Sequence, residues 1–146
     1  MAITSRRYDI NQCALYKCKS KKRLALLLKV QYAELKQVND NLQYHLFEIN
    51  KSNSTEKRLI TAPYEHLKSI QSRILSLLTY VLRPSWLNSG EKGKSYINNG
   101  KDHINANYVL TIDIKNFYDN CKRNYIYLFF LEKLKTAPDI AELLTN

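Results

Sequence analysis

Apolar residues recur along the chain with two different spacings, and these spacings divide it into predicted helices and strands. In residues 20–38 five apolar side chains fall on one helical face, while lysines lie off that face. This spacing predicts a helix with an apolar side and a basic side. Ser20 is suited to cap its N-terminus, and the preceding residues 8–18 are also predicted to be helical. The apolar face consists of Leu24, Leu27, Leu28, Leu35 and Val38.

Two short strands and a second amphipathic helix follow. Residues 44–49 and 58–62 are predicted to form a hairpin around the polar loop 51–56. Pro63 ends the second strand because it cannot donate a hydrogen bond to a neighbouring strand. Residues 64–82 again show apolar side chains on one helical face, which core packing explains, and Arg83-Pro84 is predicted to end this helix.

Residues 108–118 combine a strand-like pattern with a candidate for chemistry. The aliphatic residues Val109, Leu110, Ile112 and Ile114 predict a buried strand. Asp113 lies near its end, where a buried carboxylate requires a cation or strong hydrogen-bond donors. Two interpretations stay open from spacing alone. Asp113 either caps the next helix, or it binds a metal ion beside an aromatic surface for a substrate.

Composition indicates a folded domain with a basic surface. The chain has 146 residues, 45% of them apolar, with three Gly and three Pro, which suits a packed core. The net charge is +10, and residues 1–37 hold nine Lys/Arg against two acids. Such a surface, together with eleven tyrosines, suits a nucleic-acid backbone and stacked bases. A solvated basic surface without a partner stays the alternative.

The lack of a recognisable targeting signal and the spacing of the cysteines predict a cytoplasmic protein. The sequence has neither a window of roughly 18 apolar residues nor a signal peptide, so no contact with a membrane is expected. Cys13, Cys18 and Cys121 are odd in number and lack zinc-ligand spacing, which favours reduced thiols.

Several blocks of the sequence resemble retron-type reverse transcriptases. Thr111–Tyr118 is similar to their first catalytic motif, in which an Asp-Ile-Lys-Asp-Phe-Phe-like string carries a metal-binding aspartate. Arg58–Pro63 followed by Leu67–Gln71 is similar to their Arg-x-Ile-x-x-Pro and Leu-Lys-x-Ile-Gln block. Lys94–His103 and Ala137–Thr145 are also similar to segments of the family, and a weaker similarity runs through Asp9–Asn11. The family pattern and the flanking charges favour a helix for the apolar stretch 125–131, which periodicity alone leaves ambiguous.

The resemblance implies an α+β chain with the right-hand polymerase fold, covering the fingers and the start of the palm without a thumb. It implies a basic N-terminal helical region (1–40), fingers (41–107) and the start of the palm (108–146). The chain has no Asp-Asp pair, although these polymerases carry a Tyr-x-Asp-Asp hairpin. We therefore expect a truncated portion of an RNA-directed DNA polymerase, inactive by itself. A two-metal site requires more than one carboxylate.

The resemblance also assigns roles to individual residues. Asp113 and the backbone carbonyl of Ile114 would bind Mg²⁺, Arg58 would pair with the nucleotide triphosphate, and Tyr118 would lie under the sugar. Asn116 stands where the family often has Asp, and loop 51–56 lacks the family's glycines. His103 is expected to pack and not to catalyse. The candidates for nucleic-acid contacts are Lys21, Lys22, Lys68 and Gln71.

The implied partners are an RNA template, a DNA primer and deoxynucleotides, with a structured non-coding RNA as the cognate RNA. The resemblance also suggests a role in anti-phage defence with an effector protein. The alternative function is a non-catalytic RNA-binding module or split subunit derived from the same fold. A reading frame that continues past Asn146 into a Tyr-x-Asp-Asp motif would favour the polymerase over this alternative.

Overall fold

The computed structural model describes residues 7–38, 44–50, 55, 57–90, 93–115 and 117–146, except for the side chain of Asp119. These residues form helices and a two-stranded sheet, in agreement with the predicted α+β class. The chain divides into two compact units. Unit 1 comprises Met1–Val81 and Arg123–Asn146, and unit 2 comprises Leu82–Lys122. No helix in the described ranges is long and apolar enough to cross a membrane.

Unit 1 contains most of the regular structure. A short 3₁₀ turn is followed by two helices, a hairpin, a long helix and a helical C-terminal region. In chain order these are the 3₁₀ turn Ile10–Gln12, α1 (Lys21–Leu28), α2 (Tyr32–Gln37), β1 (Tyr44–Asn50), β2 (Lys57–Pro63), α3 (Glu65–Leu78), α6 (Arg123–Leu128), a π-helical turn (Phe129–Lys133) and α7 (Pro138–Thr145). Unit 2 contributes α4 (Tyr96–Lys101) and α5 (Phe117–Asn120).

Two short helices replace the single helix predicted for residues 20–38. Ser20 caps α1 as predicted, since its side chain accepts a hydrogen bond from the backbone of Arg23 at 3.4 Å. The helix then ends because Lys29 adopts the left-handed conformation, with φ at 61°. The backbone N–H of Val30 closes the turn by donating to the carbonyl of Ala25 at 3.0 Å. The prediction of one continuous helix is therefore wrong.

The core of unit 1 joins the N-terminal segment to the C-terminal one. The backbone N–H of Lys17 donates to the carbonyl of Leu134 at 2.8 Å, and that of Ala137 donates to Cys18 at 3.0 Å. The same core cluster contains the buried side chains of Leu15, Leu134 and Ile140, together with Leu24 and Leu28 of α1 and Leu35 of α2. The apolar face predicted for residues 20–38 thus packs into the core, although the helix carrying it is broken.

The segment before α1 is held mainly by contacts with the end of α3. Of the predicted helical residues 8–18, only the turn Ile10–Gln12 is helical. The backbone N–H of Tyr8 donates to Tyr80 at 3.0 Å, and its hydroxyl donates to the carbonyl of Leu77 at 3.2 Å. Burial raises the pKa of the Tyr8 phenol, and Cys13 and Tyr80 raise it further.

The predicted hairpin is confirmed, with β1 and β2 antiparallel and Tyr44 opposite Pro63. The polar loop of this hairpin lacks the glycines of the family, and its residues 51–54 and 56 lie outside the described residues.

Helix α3 is also confirmed, but it ends at Leu78 and not at Arg83-Pro84. The Thr79 hydroxyl donates to the carbonyl of Leu75 at 2.7 Å, and Val81 then forms a bridge with Tyr8.

The apolar stretch 125–131 is helical, as the flanking charges predict. Helix α6 passes directly into the π-helical turn Phe129–Lys133, in which Phe130 is buried in the core of unit 1. Thr136 follows this turn and is buried, and its hydroxyl donates to the carbonyl of Phe130 at 3.0 Å. Helix α7 begins at Pro138, which suits the first helical position because its backbone has no N–H to satisfy there.

The buried strand predicted for residues 108–114 is absent from unit 2. This segment has no regular secondary structure, and Tyr108 and Leu110 are 94% and 83% exposed. A strand is stabilised by hydrogen bonds to a neighbouring strand, and no strand lies beside this segment among the described residues of unit 2. The prediction followed β-propensity, which describes how a side chain fits a sheet that must already be present.

Candidate functional site

Asp113 lies in the exposed segment that precedes α5, and its side chain contacts no other described side chain through a hydrogen bond or ion pair. Helix α5 begins at Phe117, so Asp113 is too far upstream to occupy its N-cap. The helix-cap interpretation is therefore wrong. Asn116, the residue before α5, lies outside the described residues. The side-chain amide of Asn120, the last residue of α5, donates to the carbonyl of Lys115 at 3.0 Å.

Tyr118 stands in the single turn of α5 and is exposed. Its ring meets that of Phe117 edge to face, with the ring centroids 5.5 Å apart. An exposed aromatic pair contributes little to a core. Within unit 2 the motif therefore presents a carboxylate and, five residues later, an accessible aromatic ring.

The described residues do not by themselves fit a magnesium site. Magnesium takes six oxygen ligands in octahedral geometry, and among the described residues no group of three or more His, Cys, Asp or Glu side chains could hold a metal ion. Asp113 and the carbonyl of Ile114 are neighbours in the chain and could offer three oxygens at most, two from the carboxylate and one from the carbonyl. No catalytic step can be derived from these two groups alone.

Arg58 projects from the hairpin of unit 1. In the hairpin Arg58 is paired with Ile49. Phe47 and Ile60, which are paired two positions further along the strands, lie on the same face as Arg58. Its guanidinium is exposed and has no hydrogen bond or ion pair with the residues that the structure describes. The other face carries the ion pair between Glu48 and Lys57, whose Oε2 and Nζ are 2.8 Å apart. Arg58 is thus available to an anionic ligand.

The other predicted contact residues occupy two surfaces of unit 1. Lys22 is exposed, whereas the Nζ of Lys21 lies 3.5 Å from a carboxylate oxygen of Asp139. An exposed pair of this kind is weak, so Lys21 keeps part of its attraction for phosphates. Lys68 and Gln71 are exposed on α3 at a separation of three residues, which places them on one side of the helix.

The structure brings some of the predicted site residues together and not others. Unit 2 holds the motif residues Asp113, Ile114 and Tyr118, and unit 1 holds Arg58, Lys21, Lys22, Lys68 and Gln71. Sequence reasoning missed a cleft in unit 2, lined by the polar loop 86–90 and by the beginning of α4. A lone tryptophan within this polar loop, Trp86, was the signal that could have drawn attention to it.

The comparisons with known proteins point to one class, the retron reverse transcriptases. No family model matches the chain. The chain is 29% identical to the retron Ec86 reverse transcriptase of Escherichia coli over 92 residues, which is 62% of this chain and 29% of that protein. It is 29% identical to the retron Ec48 reverse transcriptase of the same organism over 140 residues, which is 85% of this chain and 34% of that protein.

These matches confirm the resemblance to retron-type reverse transcriptases that the motifs predict. The chain spans about a third of the length of these curated relatives, as the 29% and 34% coverages show. A contiguous match over 85% of the chain has to include its central residues wherever the match begins, and Arg58, Asp113 and Tyr118 are among them. The similarity therefore extends over the residues to which the motifs assign chemistry.

Proposed function

We propose that this chain is the fingers and first palm motif of a retron-type, RNA-directed DNA polymerase. The observation that carries the proposal is the match over 85% of the chain, which includes both Arg58 and Asp113. The exposure of both side chains supports it, because neither forms a hydrogen bond or ion pair within the described part of the chain. The predicted boundaries at residues 40 and 107 are part of this proposal.

Phosphoryl transfer requires neutralisation of phosphate charge and in-line positioning more than covalent chemistry by the protein. We assign to Arg58 the binding of the nucleotide triphosphate, since a planar guanidinium can pair with two phosphate oxygens at once. Asp113 supplies one carboxylate, and Ile114 one carbonyl, to a magnesium site whose other ligands lie outside the described residues. Magnesium, when bound there, would neutralise phosphate charge.

The N-terminal basic residues give the proposal a test in RNA binding. If about five cations contact phosphates, the logarithm of the association constant should fall with the logarithm of salt concentration at a slope of roughly −4. Fluorescence anisotropy with a labelled structured RNA at 50 to 300 mM salt measures this slope. Lys22→Ala should reduce its magnitude by about 1, because Lys22 is exposed and has no partner among the described residues.

Lys133→Ala is the matched control, since Lys133 is also an exposed lysine of unit 1 but lies in the π-helical turn. It should leave the slope within about 0.3 of the unmodified value, well below the change expected for one phosphate contact. A salt-independent affinity would show that phosphates are not the ligand. Equal effects of both substitutions would mean that the attraction is diffuse and is not centred on the N-terminal segment.

We assign to Tyr118 the exclusion of ribonucleotides. An accessible rigid ring five residues after Asp113 leaves room for a 2′-hydrogen but would clash with a 2′-hydroxyl, so selectivity arises from repulsion. In a reverse transcriptase that contains this chain, Tyr118→Val should increase ribonucleotide use relative to deoxyribonucleotide use by at least about tenfold, or roughly 1.4 kcal/mol. Steady-state incorporation of paired nucleotides opposite one template base measures this ratio.

Tyr118→Phe should keep the selectivity, because it preserves the ring and removes only the hydroxyl. Equal slowing of both nucleotides by Tyr118→Val would assign Tyr118 to packing. That result is not expected from the exposure of its side chain.

A second candidate function is a non-catalytic RNA-binding module or split subunit derived from the same fold. It is favoured by one observation, namely that the described residues hold no group of side chains that could bind a metal ion. This candidate shares the predicted salt dependence of RNA binding. It differs in predicting that nucleotide addition does not depend on Asp113. The substitution Asp113→Asn therefore distinguishes the two candidates.

A further inference from the structure

Unit 2 contains a cleft of about 510 Å³ between the loop that starts at Trp86 and the beginning of α4. This volume lies in the range of pockets that hold small ligands. The side chains of Trp86 and Tyr96 both line it, at 75% and 86% exposure. Asn99 and Ser95 also face the cleft and supply polar groups beside the rings.

Hydrogen bonds hold the walls of this cleft in place. The ammonium of Lys94 donates to the carbonyls of Ser85 and Leu87 at 2.8 and 2.7 Å, which closes the loop on itself. The side-chain amide of Asn88 donates to a carboxylate oxygen of Asp102 at 2.8 Å, which ties the loop to the residue that ends α4. A ligand would therefore meet lining residues that these hydrogen bonds already hold in place.

The guanidinium of Arg83 adds a further support by donating to the carbonyl of Gly90 at 2.9 Å. Gly90 has φ at 67°, a left-handed conformation that glycine adopts without strain. The loop between these residues is thus fixed at several points. Trp86 nevertheless remains exposed and does not belong to the core cluster of buried residues.

We propose that this cleft binds an unpaired base of a single-stranded nucleic acid, stacked on the rings of Trp86 and Tyr96. Aromatic side chains bind bases of any sequence through their flat faces, and amides such as that of Asn99 match the hydrogen-bonding edges of bases. Lys94 also lines the cleft. Residues 82–122 of unit 2 hold six Lys/Arg against four acids, and this excess of positive charge favours a polyanion over an apolar peptide. The choice of nucleic acid as the ligand rests on the proposed function.

Trp86 makes the proposal directly measurable because it is the only tryptophan in the sequence. Its fluorescence should be quenched in a saturable way by an unpaired oligouridine, since a stacked base lies against the indole. An oligonucleotide with the same phosphates but without bases should bind at low salt and leave the fluorescence unchanged. Quenching of equal size by the abasic oligonucleotide would overturn the proposal.

Tyr96→Ala tests the second ring without altering the reporter. Tyr96 is exposed at the first position of α4, where alanine is compatible with the helix. The dissociation constant from the quenching titration should rise about tenfold, as expected for the loss of one stacking surface. Tyr96→Phe should stay within about twofold of the unmodified chain, because the stacking ring is retained.

Tyr125→Ala is the matched control, since Tyr125 is also an exposed tyrosine near the start of a helix but belongs to unit 1. It should not change the titration. Equal weakening by Tyr125→Ala and Tyr96→Ala would overturn the assignment to the cleft. Circular dichroism of each variant verifies that the total helix content and the cooperative unfolding are retained.

The same titration separates this proposal from the proposed function. RNA binding that depends on Lys22 and on salt, without quenching of Trp86, would overturn the cleft and leave the proposed function standing. Quenching by oligouridine with no salt dependence would support the cleft and contradict the basic surface. Quenching by an uncharged apolar peptide at the same concentration, with none by oligouridine, would identify the cleft as a protein-binding surface.

Discussion

Asp113→Asn should lower nucleotide addition by at least about 10³-fold in a reverse transcriptase that contains this chain, or roughly 4 kcal/mol of transition-state stabilisation. The substitution keeps the size of the side chain and removes the negative charge that we assign to magnesium binding. RNA affinity should change by less than about twofold, because the carboxylate is one charge among many in an electrostatic interface. Single-turnover primer extension and anisotropy measure the two quantities.

Stability should not change either, because Asp113 is exposed and forms no hydrogen bond or ion pair among the described residues. Asp9→Asn is the matched control, since Asp9 is exposed and its side chain makes no capping hydrogen bond to the 3₁₀ turn that follows it. It should leave nucleotide addition unchanged. Full activity of Asp113→Asn would favour the RNA-binding module, and a loss of activity matched by a loss of folded protein would assign Asp113 a structural role.

The elements that the sequence predicts best are those whose pattern coincides with local chemistry. The hairpin and α3 were predicted within a few residues, because the strands are bounded by polar residues and Pro63 separates them from the helix. The periodicity of the stretch 125–131 fits either a helix or a strand. The charged residues on either side of it, together with the family pattern, correctly predicted a helix. In these cases tertiary contacts reinforce the local preference and do not override it.

The break between α1 and α2 could not be predicted, because it carries none of the usual signals. A helix end in the left-handed conformation is most often glycine, but Lys29 takes this position here at φ 61°. A partner distant in sequence supports the break, since the guanidinium of Arg73 on α3 donates to the carbonyl of Leu27 at 2.8 Å. Arg73 lies 46 residues away in the sequence, and no local pattern reveals such a contact.

The motif segment shows a different limit of sequence reasoning. Its aliphatic residues predict burial, yet Ile112 is exposed, because no described strand of unit 2 can pair with the segment. The position of α5 excludes Asp113 as its cap, and the remaining interpretation as a metal ligand came from the motif and not from geometry. The assignment of Asp113 to metal binding thus stays a prediction from the motif, while the conformation of the segment depends on neighbours that the segment alone does not specify.

A pair of substitutions in α1 should show how much of unit 1 depends on the predicted apolar face. Leu24 and Leu26 stand two residues apart in the same helix and are 0% and 79% exposed. Leu24→Ala should lower the free energy of unfolding by about 3–4 kcal/mol, the sum of lost burial and an incompletely filled cavity. Leu26→Ala should change it by no more than about 0.5 kcal/mol.

Urea unfolding followed by circular dichroism at a helix-sensitive wavelength measures both values on the same signal. Because both variants replace leucine by alanine within one helix, the change in helix propensity is shared and the difference between them reports burial. Leu24→Ala should lower the midpoint without a large change in the slope, since the surface exposed on unfolding is nearly the same. Equal destabilisation by the two substitutions would mean that α1 does not pack against Leu15 and Ile140 as the structure has it.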